Sequence, residues 1–221
     1  MRGIRFLLVA MSVLFGACDS ESVTPPPSPS LVDLLPLEVG NRWILMRTVT
    51  DASGNTLVSE PDTVTVVSDT TLAGERWFAL AGSSQDSRAG FGGYNAVRSD
   101  GIWFRGGPST PAYLQYAYPT EPGVTYPYAP HRYAAEARVV GTEEPVPGPN
   151  RLRGHLYSIR FDSLRAWPHM SFADGVPPLR RLLVPGVGFQ EYETQFWTED
   201  SAGDLVLLQK QSWRLVRFEP A

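Results

Sequence analysis

The pattern from Leu34 onward constrains this chain most. Short apolar or alternating stretches are each closed off by Gly, Pro, Asn, Asp or Ser, and no window of a dozen residues holds helical spacing. Alternation places successive side chains on opposite faces of a pleated backbone, whereas a helix needs apolar residues three and four apart. Strands are expected over 43–50, 62–70, 76–82, 95–98, 102–105, 133–141 and 152–162, followed by a long C-terminal pair. Ser53-Gly54-Asn55 and Ser99-Asp100-Gly101 carry turn chemistry, because Gly and Asn tolerate positive φ, so hairpins follow. The fold class read from this is mainly β: a single antiparallel meander domain over 34–221, forming an open or closed barrel or a sandwich, with little helix. Residues 108–130 and 144–150 read as the main irregular links. No internal repeat is visible, which argues against a propeller or solenoid. Hydrophobic residues are 43% of the 221, enough for a core, and the 20 Gly and 20 Pro fall short of a disordered composition.

The final hairpin allows a register to be written down. With a four-residue loop at Asp200–Gly203, Glu199 faces Asp204, Phe196 meets Leu207, Glu193 meets Lys210 and Tyr192 meets Gln211. Tyr192, Phe196, Leu205, Leu207, Trp213 and Leu215 then share the core face, and Glu191, Glu193, Lys210 and Arg214 the solvent face.

Ahead of this body, Arg2 and Arg5 precede the apolar run Phe6–Phe15, then Gly16, Ala17 and Cys18, the only cysteine. Ten helical residues rise about 15 Å, half of a hydrocarbon core of roughly 30 Å, so the run reads as a secretory signal over 1–17 and not as a span. Residues 18–33 hold a Pro/Ser-rich tether, and Ser20–Ser30 with four prolines would reach roughly 34 Å. A lone thiol cannot close an internal disulfide and is a liability in an oxidising compartment unless modified. The charge is −4, and −6 once the segment with Arg2 and Arg5 is removed, which disfavours nucleic acid and anionic membrane surfaces as partners.

Leu14-Phe15-Gly16-Ala17-Cys18 resembles a bacterial lipoprotein lipobox. The resemblance implies diacylglycerol on the Cys18 sulfur, cleavage between Ala17 and Cys18, and acylation of the new amine. The implied address is the bacterial cell envelope, with the outer membrane as the leading assignment and the leaflet open; Asp19 resembles an inner-membrane retention signal of enterobacteria. Leu35-Pro36-Leu37-Glu38-Val39-Gly40-Asn41-Arg42-Trp43, together with Pro185-Gly186-Val187-Gly188, is similar to the opening and closing motifs of uncharacterised bacterial lipoproteins. Physically, Gly40-Asn41 supplies a tight turn, Trp43 an anchor closing one end of the core, and Gly186 and Gly188 a sharp entry into the last hairpin.

Little in the body points to catalysis. His131, His155 and His169 lie 24 and 14 residues apart without metal-ligand spacing, so no metal or other cofactor is expected. There is no nucleophile elbow or phosphate loop, and Gly90-Phe91-Gly92-Gly93 reads as a flexible loop. Glu191 and Glu193 could serve acid/base work, but Lys210 and Arg214 across the ladder make a solvated ion-pair face the better reading. Tyr113, Tyr116, Tyr118, Tyr126, Tyr128 and Tyr133 place six of nine tyrosines within 21 residues. Flat apolar rings with polar tips suit a glycan or protein partner, or can pack a loop over the core. The function expected is therefore a membrane-anchored, non-enzymatic binding or scaffolding β-domain. Its partner would be an unknown envelope protein, glycan or apolar ligand. The alternative is a carrier of lipids or other apolar ligands in a barrel cavity.

Overall fold

The computed structural model describes residues 34–86, 91–128, 133–146, 151–164, 167–171 and 177–221, without the side chains of 133–134 and 162–171. Thirteen strands form one sheet: β1 (Arg42–Asp51), β2 (Thr56–Leu72), β3 (Glu75–Gly82), β4 (Gly93–Arg98), β5 (Gly101–Arg105), β6 (Tyr113–Ala117), β7 (Thr125–Tyr128), β8 (Tyr133–Pro145), β9 (Arg153–Leu164), β10 (Trp167–Ser171), β11 (Leu179–Val184), β12 (Gly188–Glu199) and β13 (Leu205–Glu219). The order is β6-β5-β4-β3-β2-β1-β13-β12-β11-β9-β8-β7, with β10 beside β9. All pairings are antiparallel, so two meanders are joined where β1 pairs with β13. The sheet curls until its edge strands meet. Tyr126 Oη on β7 donates to the Gln115 carbonyl on β6 at 3.0 Å, and Tyr157 Oη on β9 to that of Ala117 at 2.9 Å. The result is a nearly closed barrel with a side-chain seam between β6 and β7.

Alternation decides what fills it. On β1, Trp43, Leu45, Arg47 and Val49 are buried while Arg42 and Met46 are exposed. β2, β9, β11, β12 and β13 send Val64, Val66, Tyr157, Ile159, Leu179, Leu183, Tyr192 and Trp213 to the same interior. Leu34 and Leu35, fully buried, close one end. Here the two glycine motifs come together: Trp43 Nε1 donates to the Val187 carbonyl at 2.6 Å, and its ring stacks on Phe218 and meets Phe189 edge-on. Gly40, at φ 102°, turns the chain into β1. Asn41 is buried beside it, donating to the Pro36 carbonyl at 2.8 Å and accepting from the Ala221 N–H at 2.8 Å.

Three expectations need correction. The expected link at 108–130 is not irregular throughout, since β6 and β7 lie within it, and β8 runs on to Pro145; residues 129–130 and 147–150 of the two expected links lie outside the described residues. The final hairpin is out of register: the Asp200 N–H bonds the Asp204 carbonyl across a tighter turn, and a bulge at Phe196/Trp197 shifts the pairing again. Tyr192 thus meets Trp213, Glu193 meets Ser212, and Phe196 meets Gln209 and is 38% exposed. Beyond the bulge the error is two residues, which preserves faces, so Tyr192 and Trp213 stay inside and Glu191 and Arg214 outside. Finally, Phe91 is no loop tip: it is 3% exposed, with ring centroids 4.1 Å from Tyr192, 5.1 Å from Phe189 and 5.5 Å from Trp213.

Candidate functional site

The tyrosine cluster lies in the barrel, behind the seam. Tyr116, Tyr118, Tyr126 and Tyr128 are buried and Tyr113 is half-buried. Strict alternation would set Tyr113 and Tyr116 on opposite faces. A bulge between their partners Phe104 and Ile102 absorbs the extra residue and turns both inward. On β7, Tyr126 and Tyr128 point inward while Thr125 and Pro127 are exposed. The Tyr113 and Tyr128 rings meet edge-on at 5.5 Å. Tyr133 opens β8, and its side chain lies outside the described residues.

Arg181 of β11 stands among these rings, and sequence reasoning missed it. It is 3% exposed, and its guanidinium lies 3.4 Å from the Tyr192 ring centroid. Nε donates to the Glu193 carbonyl at 3.0 Å, and Nη1 reaches the Tyr116 hydroxyl at 3.4 Å. Among the described residues no carboxylate pairs with it. Burial works against its charge, but the Tyr192, Tyr128 and Tyr116 oxygens outweigh that and shift it upward. Burial drives Tyr116 and Tyr113 well above the ordinary phenol range; Tyr192 is pushed up to about 12, with Arg181 pulling the other way. The group is thus one permanent cation ringed by neutral hydroxyls. A signal was present in the sequence: Leu179, Arg181 and Leu183 alternate, so a strand here sets a charge in an apolar row.

A second polar group lines the same interior. Asp62, 2% exposed, accepts from Ser83 Oγ at 2.6 Å, Ser84 Oγ at 2.7 Å and Trp213 Nε1 at 3.1 Å. Burial alone would raise its pKa; these bonds and the Thr63 N–H outweigh it and lower it to about 2. Arg47, also buried, pairs with Glu60 at 2.7 Å and with Asp86. Every charge in this group has a partner, which marks it as structural.

The outer face carries a cleft of about 550 Å³, bordered by Met46, Leu182, Glu191, Glu193, Lys210 and Arg214, with Glu144 and Pro145 along one wall. Two of its three carboxylates, Glu191 and Glu193, are engaged. Glu193 sits 2.6 Å from Lys210 and accepts from the Arg180 N–H at 2.9 Å, while Glu191 pairs with Arg214 at 3.0 Å. The Glu193–Lys210 pair forms diagonally, since long side chains reach the next neighbour on the ladder. Glu191 and Glu193 are thus both held in ion pairs.

Of the three histidines, the side chain of His155 alone lies within the described residues. His155 is buried edge-on to Tyr118 at 5.0 Å, with Nδ1 unpartnered, and burial lowers its pKa against the pull of Glu143. His131 lies outside the described residues, as does the side chain of His169 on β10. Ala17, Cys18 and the tether lie outside them too.

Neither a protein-family model nor a curated protein matches this chain. Among solved structures, a protein from Parabacteroides distasonis, provisionally described as a lipoprotein, is similar at 12% identity and TM-score 0.36, covering 83% of this chain and 96% of its own. An exported protein with YmcC-like fold from Bacteroides fragilis, its description likewise provisional, is similar at 13% identity and TM-score 0.36, covering 83% and 97%. Superpositions this loose carry no residue role from either protein to this chain.

Proposed function

We propose that this chain is a lipid-anchored protein of the bacterial cell envelope, held at Cys18, whose barrel is a non-enzymatic binding domain. The observation that carries the reading is the lone cysteine ending a signal-length apolar run after Arg2 and Arg5. Two acyl chains on that residue give stable attachment, at about 0.8 kcal/mol per buried CH₂. Attachment through the strands themselves is disfavoured, because β11–β13 present Arg180, Glu191, Lys210 and Arg214 on the outer face. Charges at such positions are costly against lipid. In this reading the tether joins the barrel at Leu34 and Leu35, which are buried.

The binding role rests on the Arg181–tyrosine group, since the outer glutamates are neutralised by their pairs. A carrier of wholly apolar cargo would need a continuous chamber of roughly 300 Å³, whereas Tyr116, Tyr157, Trp213 and Phe91 are all buried in the interior. An alkyne-tagged fatty acid fed to cells tests the anchor. The wild type should become labelled and sediment with membranes, and Cys18→Ala should do neither. Equal labelling of both proteins contradicts the assignment.

A further inference from the structure

We infer that the barrel binds the oxyanion head of a ligand, a carboxylate or phosphate, at Arg181, admitted through the seam between β6 and β7. The inference deepens the binding-domain reading and depends on it. A buried guanidinium is permanently charged, and a buried charge without a counter-ion is costly in a low-dielectric interior. Arg47, the other buried arginine, has Glu60 and Asp86. Among the described residues, Arg181 meets the Glu193 carbonyl, the Tyr116 hydroxyl and Tyr192, and no carboxylate. None of these neutralises it.

The surroundings suit an incoming anion. The Tyr116 hydroxyl stands 3.4 Å from Arg181 Nη1, and the Tyr192 ring lies 3.4 Å from the guanidinium. A guanidinium fork flanked by O–H donors matches an oxyanion that accepts several bonds at once. No acidic side chain among the described residues opposes an anion at this point. His155, the nearest described histidine to the seam through its contact with Tyr118, is held toward the neutral form by burial.

The seam supplies the route. β6 and β7 end the sheet order and share no backbone ladder. Side chains hold the seam: the Tyr126–Gln115 bond and the Tyr113–Tyr128 ring contact join β6 to β7, the Tyr157–Ala117 bond joins β6 to β9, and Tyr113 is half-buried. Side-chain rotation opens such a contact, whereas parting any other neighbouring pair on that path breaks a ladder. The head group may arrive on an amphiphile or as a free anion, and the chemistry at Arg181 is the same.

The test uses the mature chain from residue 18 carrying Cys18→Ser, titrated calorimetrically with laurate, dodecanol and inorganic phosphate. Laurate binding far tighter than dodecanol identifies an amphiphile, and phosphate binding a free anion. In either case Arg181→Met should weaken binding about tenfold or more, a difference of about 1.4 kcal/mol. Tyr128→Phe, which keeps the ring and removes the hydroxyl, should weaken it less. Without ligand, Arg181→Met should melt above the wild type, since it removes an uncompensated charge. Binding unchanged in Arg181→Met, or no binding of either anion to wild type, overturns the inference. Both results leave the acyl-labelling test of Cys18 unaffected.

Discussion

At the scale of single residues, the interior separates two kinds of buried charge. Asp62 accepts from the side chains of Ser83, Ser84 and Trp213 and from the N–H groups of Thr63 and Ser84, and its depressed pKa has a signed consequence. The folded-state value lies below the unfolded one of about 3.9, so its stabilisation is complete above about pH 4 and is lost as the pH falls toward 2. Melting temperature should therefore drop through that window, and the drop should flatten in Asp62→Asn. At neutral pH the same substitution should cost about 1–3 kcal/mol by denaturant unfolding, because the Ser83, Ser84 and Trp213 donors lose a charged acceptor. A steeper acid limb in the variant would contradict this. Asp62 stood in the sequence only as the first residue of an expected strand. Its bond to Trp213 spans 151 residues, and no local pattern encodes a partner so distant. The tyrosine cluster, in contrast, was legible as composition, but its inward orientation was not.

Among the elements, alternation located the long strands, and bulges defeated the detail. β1, β2, β3, β8, β9, β12 and β13 follow from period-two patterns bounded by turn residues. β6 and β7 were hidden because prolines and tyrosines break up the alternation and the bulge opposite Ile102–Trp103 removes its parity. In the last hairpin, the register beyond the Phe196/Trp197 bulge is off by two, which left Phe196 outside but kept Glu191, Glu193, Lys210 and Arg214 on their expected face, so the Glu191–Arg214 and Glu193–Lys210 pairs could be anticipated. The glycines of the closing motif are a sharper case. Gly188 has φ 86°, and a Cβ there would stand 2.7 Å from Leu35 Cδ1 and 3.1 Å from Trp43 Nε1. Gly188→Ala combines left-handed strain of about 1–2 kcal/mol with a clash against the barrel end. We expect a loss of about 2–4 kcal/mol in urea unfolding. Gly54, at the same φ of 86° with nothing within 4 Å, isolates the strain alone, and Gly54→Ala should cost about 1–2 kcal/mol. Equal losses in the two variants would remove the packing role assigned to Gly188.

Across the whole molecule, the β1–β13 pairing turns two consecutive meanders into one nearly closed wall. Closure was open in the sequence because it depends on which distant edges meet, and alternation says only that each strand has an inner face. The structure brings the two glycine motifs to one end, with Leu34 and Leu35 sealed against them. The interior polar groups lie farther along the barrel. The proposed anchor lies ahead of the Leu34 end, and the covalent state of Cys18 is the central claim. Intact-mass and peptide analysis of the protein extracted from membranes tests it most directly. The account predicts a chain that starts at Cys18, with one diacylglyceryl group on sulfur and an acyl group on the amine. A chain that starts elsewhere, or that carries Cys18 as an unmodified thiol, contradicts it.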